Sequence, residues 1–146
     1  MRFALAIISA VMYMKASLPS PTEVPYEVII RRESTVNEIR PSLIMAIIDV
    51  ESAWNKEAVS NKNCLGLMQV SPQHLKYLGY KKQDDLFDPQ KNIAAGTRIF
   101  KEELDRFGND FDALRAYICG AGKTKASKNC GTSYAKLVLE RERKYK

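Results

Sequence analysis

The sequence predicts a mainly α domain of about six helices with a small β-hairpin, and three observations carry that expectation. Ser71-Pro72 and Asp88-Pro89 have the form of an N-cap followed by a first helical residue, and Gly79 and Gly108 stand where those helices should stop. Ile93, Thr97, Phe100, Leu104 and Phe107 recur at spacings of 4, 3, 4 and 3, one face of a long helix. A single stretch, Asn61 to Val70 around Gly66, alternates in the manner of a short strand or hairpin.

Taken in order, residues 1–20 read differently from the rest. Arg2 precedes an apolar run from Phe3 to Met14, a length that suits an export signal and falls short of the roughly 20 residues that span a bilayer. Pro19, Pro21 and Pro25 mark the junction, and residues 21–146 form the domain. Pro25 to Glu33, apolar at Val28, Ile29 and Ile30, is the first helix. Pro41 suits the first position of the second, which runs to about Trp54. Leu43 to Ile48 and Val50 put apolar side chains on nearly all its faces, so it belongs in the middle of the domain. The Ser71-Pro72 helix ends at Gly79, and Asp84, Asp85 and Asp88 sit in a polar loop near Lys81 and Lys82. The long helix from Asp88-Pro89 reaches Gly108. Asp110 to Ile118 forms another, with Phe111, Leu114 and Ile118 on one side. Gly120-Ala121-Gly122 reads as a flexible loop, and Ser133 onward as a last, basic helix.

A length of 146 residues fits one domain, and 45% hydrophobic with 27% charged residues is an ordinary globular balance. The formal net charge of +6 lies wholly in residues 123–146, where eight Lys/Arg face two acids. The rest of the chain is balanced, which argues against a nucleic-acid surface on the body. A single histidine, His74, reads as a surface residue, and with three cysteines lacking paired CxxC spacing it excludes a zinc ribbon or a His-rich metal site. Cys64, Cys119 and Cys130 allow one disulfide with one thiol left over. All three pairings stay open, and Cys119 with Cys130 would close a short loop. Gly120-Ala121-Gly122-Lys123-Thr124 resembles a phosphate loop only at its end, because Tyr117 occupies the position of the required first glycine.

Glu51 is the candidate for chemistry. It follows Ile47-Ile48-Asp49-Val50 in the last turn of the buried helix, where apolar neighbours and the negative helix end both raise a carboxyl pKa. A carboxyl kept protonated near neutral pH is a general acid. No second carboxylate has a convincing place beside it, since Asp49 projects from a different face of the helix.

Ile47-Ile48-Asp49-Val50-Glu51-Ser52, Ala58-Val59-Ser60, Gly66-Leu67-Met68-Gln69, Asn92-Ile93-Ala94-Ala95-Gly96 and Ala116-Tyr117-Ile118-Cys119-Gly120-Ala121-Gly122 lie in collinear order over residues 26–140. Together they resemble the catalytic domain of the soluble lytic transglycosylases, a lysozyme-like fold that cleaves peptidoglycan. The resemblance implies that Glu51 is the single acid and base and that Ser60 orients a sugar acetamido group. It also implies that Met68 and Gln69 line the glycan groove, Met68 by apolar contact and Gln69 by hydrogen bonding, and that the Tyr117 hydroxyl lies close to the Glu51 carboxyl. The family's asparagine after that tyrosine is Ile118 here, which cannot make an asparagine's hydrogen bonds.

The activity so implied is cleavage of the bond between N-acetylmuramic acid and N-acetylglucosamine with formation of a 1,6-anhydro product, without metal or organic cofactor. The alternatives are a hydrolase of lysozyme type and a catalytically weak glycan-binding component of an envelope assembly. The expected partners are peptidoglycan glycan strands and a secretion, pilus or conjugation apparatus. The expected setting is outside the cytoplasm, as a monomer, with a phage-borne origin also open. The basic tail reads as a solvated helix face, or as a means of attracting an anionic partner such as the acidic stem peptides of the wall or a membrane surface.

Overall fold

The computed structural model describes residues 24–146. Seven α-helices occur among them: α1 (Glu27–Asn37), α2 (Pro41–Ser52), α3 (Leu75–Leu78), α4 (Pro89–Phe107), α5 (Asp110–Cys119), α6 (Ala121–Ala126) and α7 (Thr132–Glu142). Short 3₁₀ turns fill Pro72–His74, Gln83–Phe87 and Arg143–Tyr145. The export reading of residues 1–20 lies outside the described residues.

The helix starts and stops follow the punctuation of the sequence. Ser71 accepts from the Gln73 N–H, Asp88 accepts from the Lys91 N–H, and Gly79 and Gly108 close their helices in the left-handed conformation. α2 is buried without a break from Leu43 to Ile48, packed against α1 and α7. α4 lies on α1 and α5, and α5 on α7. The core therefore forms around α2 as its all-round apolar pattern requires.

Several expectations change. α1 continues to Asn37, four residues past Glu33, and it turns Ile30 inward while Val28 is 84% exposed. The Gly120-Ala121-Gly122 segment is not a loop but the start of α6, and part of the polar loop at Asp84 and Asp85 is a 3₁₀ turn. Ile118 does not share the inner side with Leu114; it is 43% exposed. The expected hairpin is reduced to two isolated antiparallel bridges, Val59 with Leu65 and Leu65 with Val70.

A buried amide explains that last difference. Asn92 on α4 donates to the carbonyls of Leu65 (2.8 Å) and Leu86 (2.6 Å) and accepts from the Met68 N–H at 2.7 Å. The Met68 N–H is thus satisfied by a side chain and not by a ladder partner, while the Leu65 carbonyl takes the amide in addition to the Val70 N–H at 3.0 Å. The approach is so close that a Cβ on Gly66, at φ +74°, would collide with the Asn92 amide and the Leu86 carbonyl.

The last helix is not simply a solvated basic face. Ala135 and Val138 enter the core. Arg141 donates to Asp49 at 2.9 Å, and buried Glu142 accepts from Arg40 (2.9 Å) and Ser42 (2.8 Å) at the start of α2. These contacts lock α7 along α2.

Candidate active site

Glu51 sits in the last turn of α2, half-buried at the wall of a cleft of about 370 Å³. The loop after α2 and the C-terminal end of α5 supply the other walls. Ser60, Cys64 and Gln69 come from the loop, and Tyr117 and Ile118 from α5.

Two tyrosines order the floor. The Tyr134 hydroxyl, from α7, donates to Glu51 Oε1 at 2.6 Å. The Tyr117 hydroxyl donates to the Met68 carbonyl at 2.8 Å. Burial, with the neighbouring Glu51 carboxyl, pushes both phenols well above their ordinary pKa, so they remain donors. Tyr117 is thus in the cleft with Glu51, but the hydrogen bond to the carboxyl comes from Tyr134.

Burial raises the Glu51 pKa from 4.5 to about 7, against the opposing effect of the Tyr134 hydrogen bond. The carboxyl is therefore substantially protonated near neutral pH and can give or take a proton there. Asp49, two residues earlier, goes the other way. Burial would raise its pKa, but hydrogen bonds from Arg141 and Tyr145 outweigh this and hold it below its ordinary value, on the α7 side of the helix.

The other sequence candidates divide. Ser60 is in the cleft, where its hydroxyl accepts from the Cys64 N–H at 3.0 Å and closes the turn. Gln69 is in the cleft, its amide donating to the Ala58 (3.2 Å) and Gly66 (3.0 Å) carbonyls, with its backbone at φ +51°. Met68 does not line it. Its side chain is 0% exposed, lies against Gly96 and receives the Thr97 hydroxyl on sulfur at 3.7 Å. The expected apolar contact from Met68 to a glycan is corrected accordingly, because the left-handed turn at Gly66–Gln69 and the absence of a Cβ at Gly96 direct Met68 into the core. What Met68 offers the site is the carbonyl that anchors Tyr117.

Sequence reasoning missed Tyr134, Asn61, Lys62 and Cys64 as neighbours of Glu51. Tyr134 had a signal: with Ala135, Val138 and Glu142 it forms the inward stripe of α7. The disulfide joins Cys119 to Cys130 and leaves Cys64 free on the cleft wall.

A family model described as "Transglycosylase SLT domain" matches residues 28–137. Among curated proteins, a transglycosylase of Enterobacteria phage PRD1 is 35% identical over 83 residues, 57% of this chain and 30% of that protein. The soluble lytic murein transglycosylase of Escherichia coli K12 is 32% identical over 108 residues, 68% of this chain and 17% of that protein. The crystal structure of the 70 kDa soluble lytic transglycosylase from Escherichia coli superposes with a TM-score of 0.73 at 28% identity, covering 80% of this chain and 23% of that one. The chain thus spans less than a third of the length of these relatives.

Proposed function

Since the chain belongs to the SLT transglycosylase domain family, we propose that it cleaves the β-1,4 bond between N-acetylmuramic acid and N-acetylglucosamine in peptidoglycan as a lytic transglycosylase. The observation that carries this reading is Glu51. Among the described residues it is the one carboxyl on the cleft wall, its pKa is raised to about 7, and a tyrosine hydroxyl orients it. Glycosidases with two carboxyls divide acid and base work between them. With Asp49 tied to Arg141 and Tyr145, one carboxyl has to do both.

The sequence of steps follows from that constraint. Protonated Glu51 gives its proton to the glycosidic oxygen, and the bond from C1 of the muramoyl sugar to that oxygen breaks. The sugar's own 2-acetamido oxygen stabilises the cationic C1. Glu51, now a carboxylate, takes the proton of the same sugar's 6-hydroxyl as O6 closes on C1. The product is a 1,6-anhydro sugar, the proton has returned to Glu51, and no water is consumed. Tyr134 holds the carboxyl in place, and Tyr117 fixes the Met68–Gln69 turn that forms the opposite wall. Ser60 and Gln69 line the same cleft, and contact with the sugar is the role this reading gives them.

The test is a digest of purified peptidoglycan by the protein and by Glu51→Gln, with soluble fragments weighed by mass spectrometry. Anhydro-muropeptides from the parent alone are expected. Reducing-end products would overturn the transglycosylase step in favour of hydrolysis. Absence of any Glu51-dependent product from a folded protein that still binds the wall would favour a glycan-binding role, with Ile118 the first residue to revert to asparagine.

Action outside the cytoplasm is part of the same proposal. Two features support it: the export-length apolar run of residues 3–14, and a disulfide of the kind kept in oxidising compartments. Local opening of the wall for a secretion, pilus or conjugation apparatus is the use we propose for such a domain. Cell fractionation, and loss of assembly on deletion of the gene, test the two parts.

A further inference from the structure

Arg115 is the one buried arginine among the described residues, 6% exposed inside the bend between α5 and α7. A guanidinium withdrawn from water has to place its N–H groups on fixed partners. Here every arm is engaged. Nε donates to the Cys130 carbonyl at 2.9 Å, Nη1 to Asp112 at 2.7 Å, and Nη2 to the Thr124 (3.4 Å) and Ser127 carbonyls. Ser127 and Cys130 lie between α6 and α7, and Thr124 in the last turn of α6, so the helical ladder leaves these carbonyls to the guanidinium.

The clamp closes on the residues that start α7. Cys130 is held twice from α5, its sulfur by Cys119 and its carbonyl by Arg115, one helical turn apart. Gly131, the N-cap of α7, then lies so near α5 that a Cβ there would stand 2.8 Å from the Arg115 Cα. Tyr134 is the third residue of the helix so started, about 4.5 Å along its axis from that N-cap. Its hydroxyl reaches Glu51 Oε1 at 2.6 Å, and a shift of about 1 Å at the start of α7 carries it beyond hydrogen-bond distance.

We propose that Arg115 is a positioning residue for the reaction: by holding the start of α7 against α5, it sets the Tyr134 hydroxyl on Glu51. The proposal rests on the reading of Glu51 as the acid and base. Tyr134 faces the carboxyl from α7, Tyr117 from α5, and Lys62 and Cys64 from the cleft loop. Asp49 turns to the α7 side with Arg141 and Tyr145. Burial and the Tyr134 hydrogen bond move the Glu51 pKa in opposite directions, so Arg115 acts on the carboxyl through Tyr134 and not by its own charge. Asp112, near the start of α5, balances that charge.

The test follows the Glu51 side-chain carboxyl by carbon-13 NMR against pH, together with kcat and KM on soluble glycan fragments. The variants are Arg115→Gln, Arg115→Lys, Tyr134→Phe, and Arg115→Gln combined with Tyr134→Phe. Neither an amide nor an ammonium reproduces the fork that spans three carbonyls. Both Arg115 variants are expected to move the Glu51 titration to higher pH, as Tyr134→Phe does. The double variant should move it no further than Tyr134→Phe alone. kcat should fall about tenfold while KM stays within about twofold. Ile30→Ala, a core substitution on α1, should destabilise the protein without moving the titration, which separates positioning from loss of stability. Titration at the parent's pH in folded Arg115 variants overturns the proposal and makes Arg115 a packing residue. So does a shift that adds to that of Tyr134→Phe. Loss of the fold in both Arg115 variants, read by circular dichroism, overturns it too, because the guanidinium is then a requirement of the fold. Failure of the reaction itself shows separately: the parent then gives no Glu51-dependent product, while the NMR titration still reads the Glu51–Tyr134 contact.

Discussion

Glu51 and Tyr134 are 83 residues apart in the chain, and their oxygens are 2.6 Å apart in the fold. That contact and burial act in opposite directions on the carboxyl, and burial wins, to give a pKa near 7. Two outcomes follow at this scale. A group that must be protonated to start the reaction predicts that kcat/KM falls as pH rises through about 7, measured on soluble glycan fragments. Tyr134→Phe removes the interaction that lowers the pKa, so the same limb should move to higher pH while the fold, read by circular dichroism, is kept. Stability carries the same sign. The raised pKa means that folded Glu51 ionises at a cost, absent below pH 4.5 and complete above about 7. Glu51→Gln should therefore match the parent in unfolding free energy at pH 4 and exceed it at pH 8 by on the order of 1–3 kcal/mol, allowing for partial exposure, as read by urea unfolding at the two pH values. Glu51 itself was legible from its place after a buried run. Tyr134 was not singled out, because a tyrosine on a basic terminal helix carries no local mark of what it faces.

At the scale of elements, Asn92 is the clearest case of a side chain replacing secondary structure. It satisfies two carbonyls and one N–H from three sites, Leu65, Leu86 and Met68, and so ties the cleft loop to α4. Asn92→Leu takes the side-chain partner from the Met68 N–H and the Leu86 carbonyl, while the Leu65 carbonyl keeps the Val70 N–H, and should cost about 2–4 kcal/mol by urea unfolding, with the largest gain in hydrogen exchange at residues 65–69. The alternation over Asn61 to Val70 suggested a hairpin because apolar periodicity reports which side chains are buried, not which group satisfies the backbone. For the same reason Met68 read as a groove residue. Its neighbour Gly66, at φ +74°, and Gly96, with no Cβ, decide that it points inward. Helix ends fared better, since Ser71, Asp88, Gly79 and Gly108 act within one turn of themselves.

Across the whole molecule, α2 is the axis. α7 is bound along it by Arg141–Asp49 and Arg40–Glu142, and the Cys119–Cys130 disulfide fastens the start of α7 to the end of α5. The two tyrosines of the cleft come from those two helices. Replacing both bridge cysteines by serine should lower stability by about 3 kcal/mol, or roughly 10 °C in Tm. It should reduce activity further, at a temperature where the fold is intact, because Tyr117 and Tyr134 lose their common tether. Scanning calorimetry and the peptidoglycan digest check the two parts. The amino-acid order by itself determined the helical class, the position of α2 at the centre, the helix boundaries marked by proline and glycine, the catalytic candidate and the collinear family motifs. All of these are written in contacts or patterns a few residues long. Only the tertiary structure decided which cysteines pair, that Tyr134 and not Tyr117 meets the carboxyl, and that Met68 is core. Each of those depends on groups far apart in sequence competing for one partner, and that competition is resolved only when α2, α5 and α7 have packed.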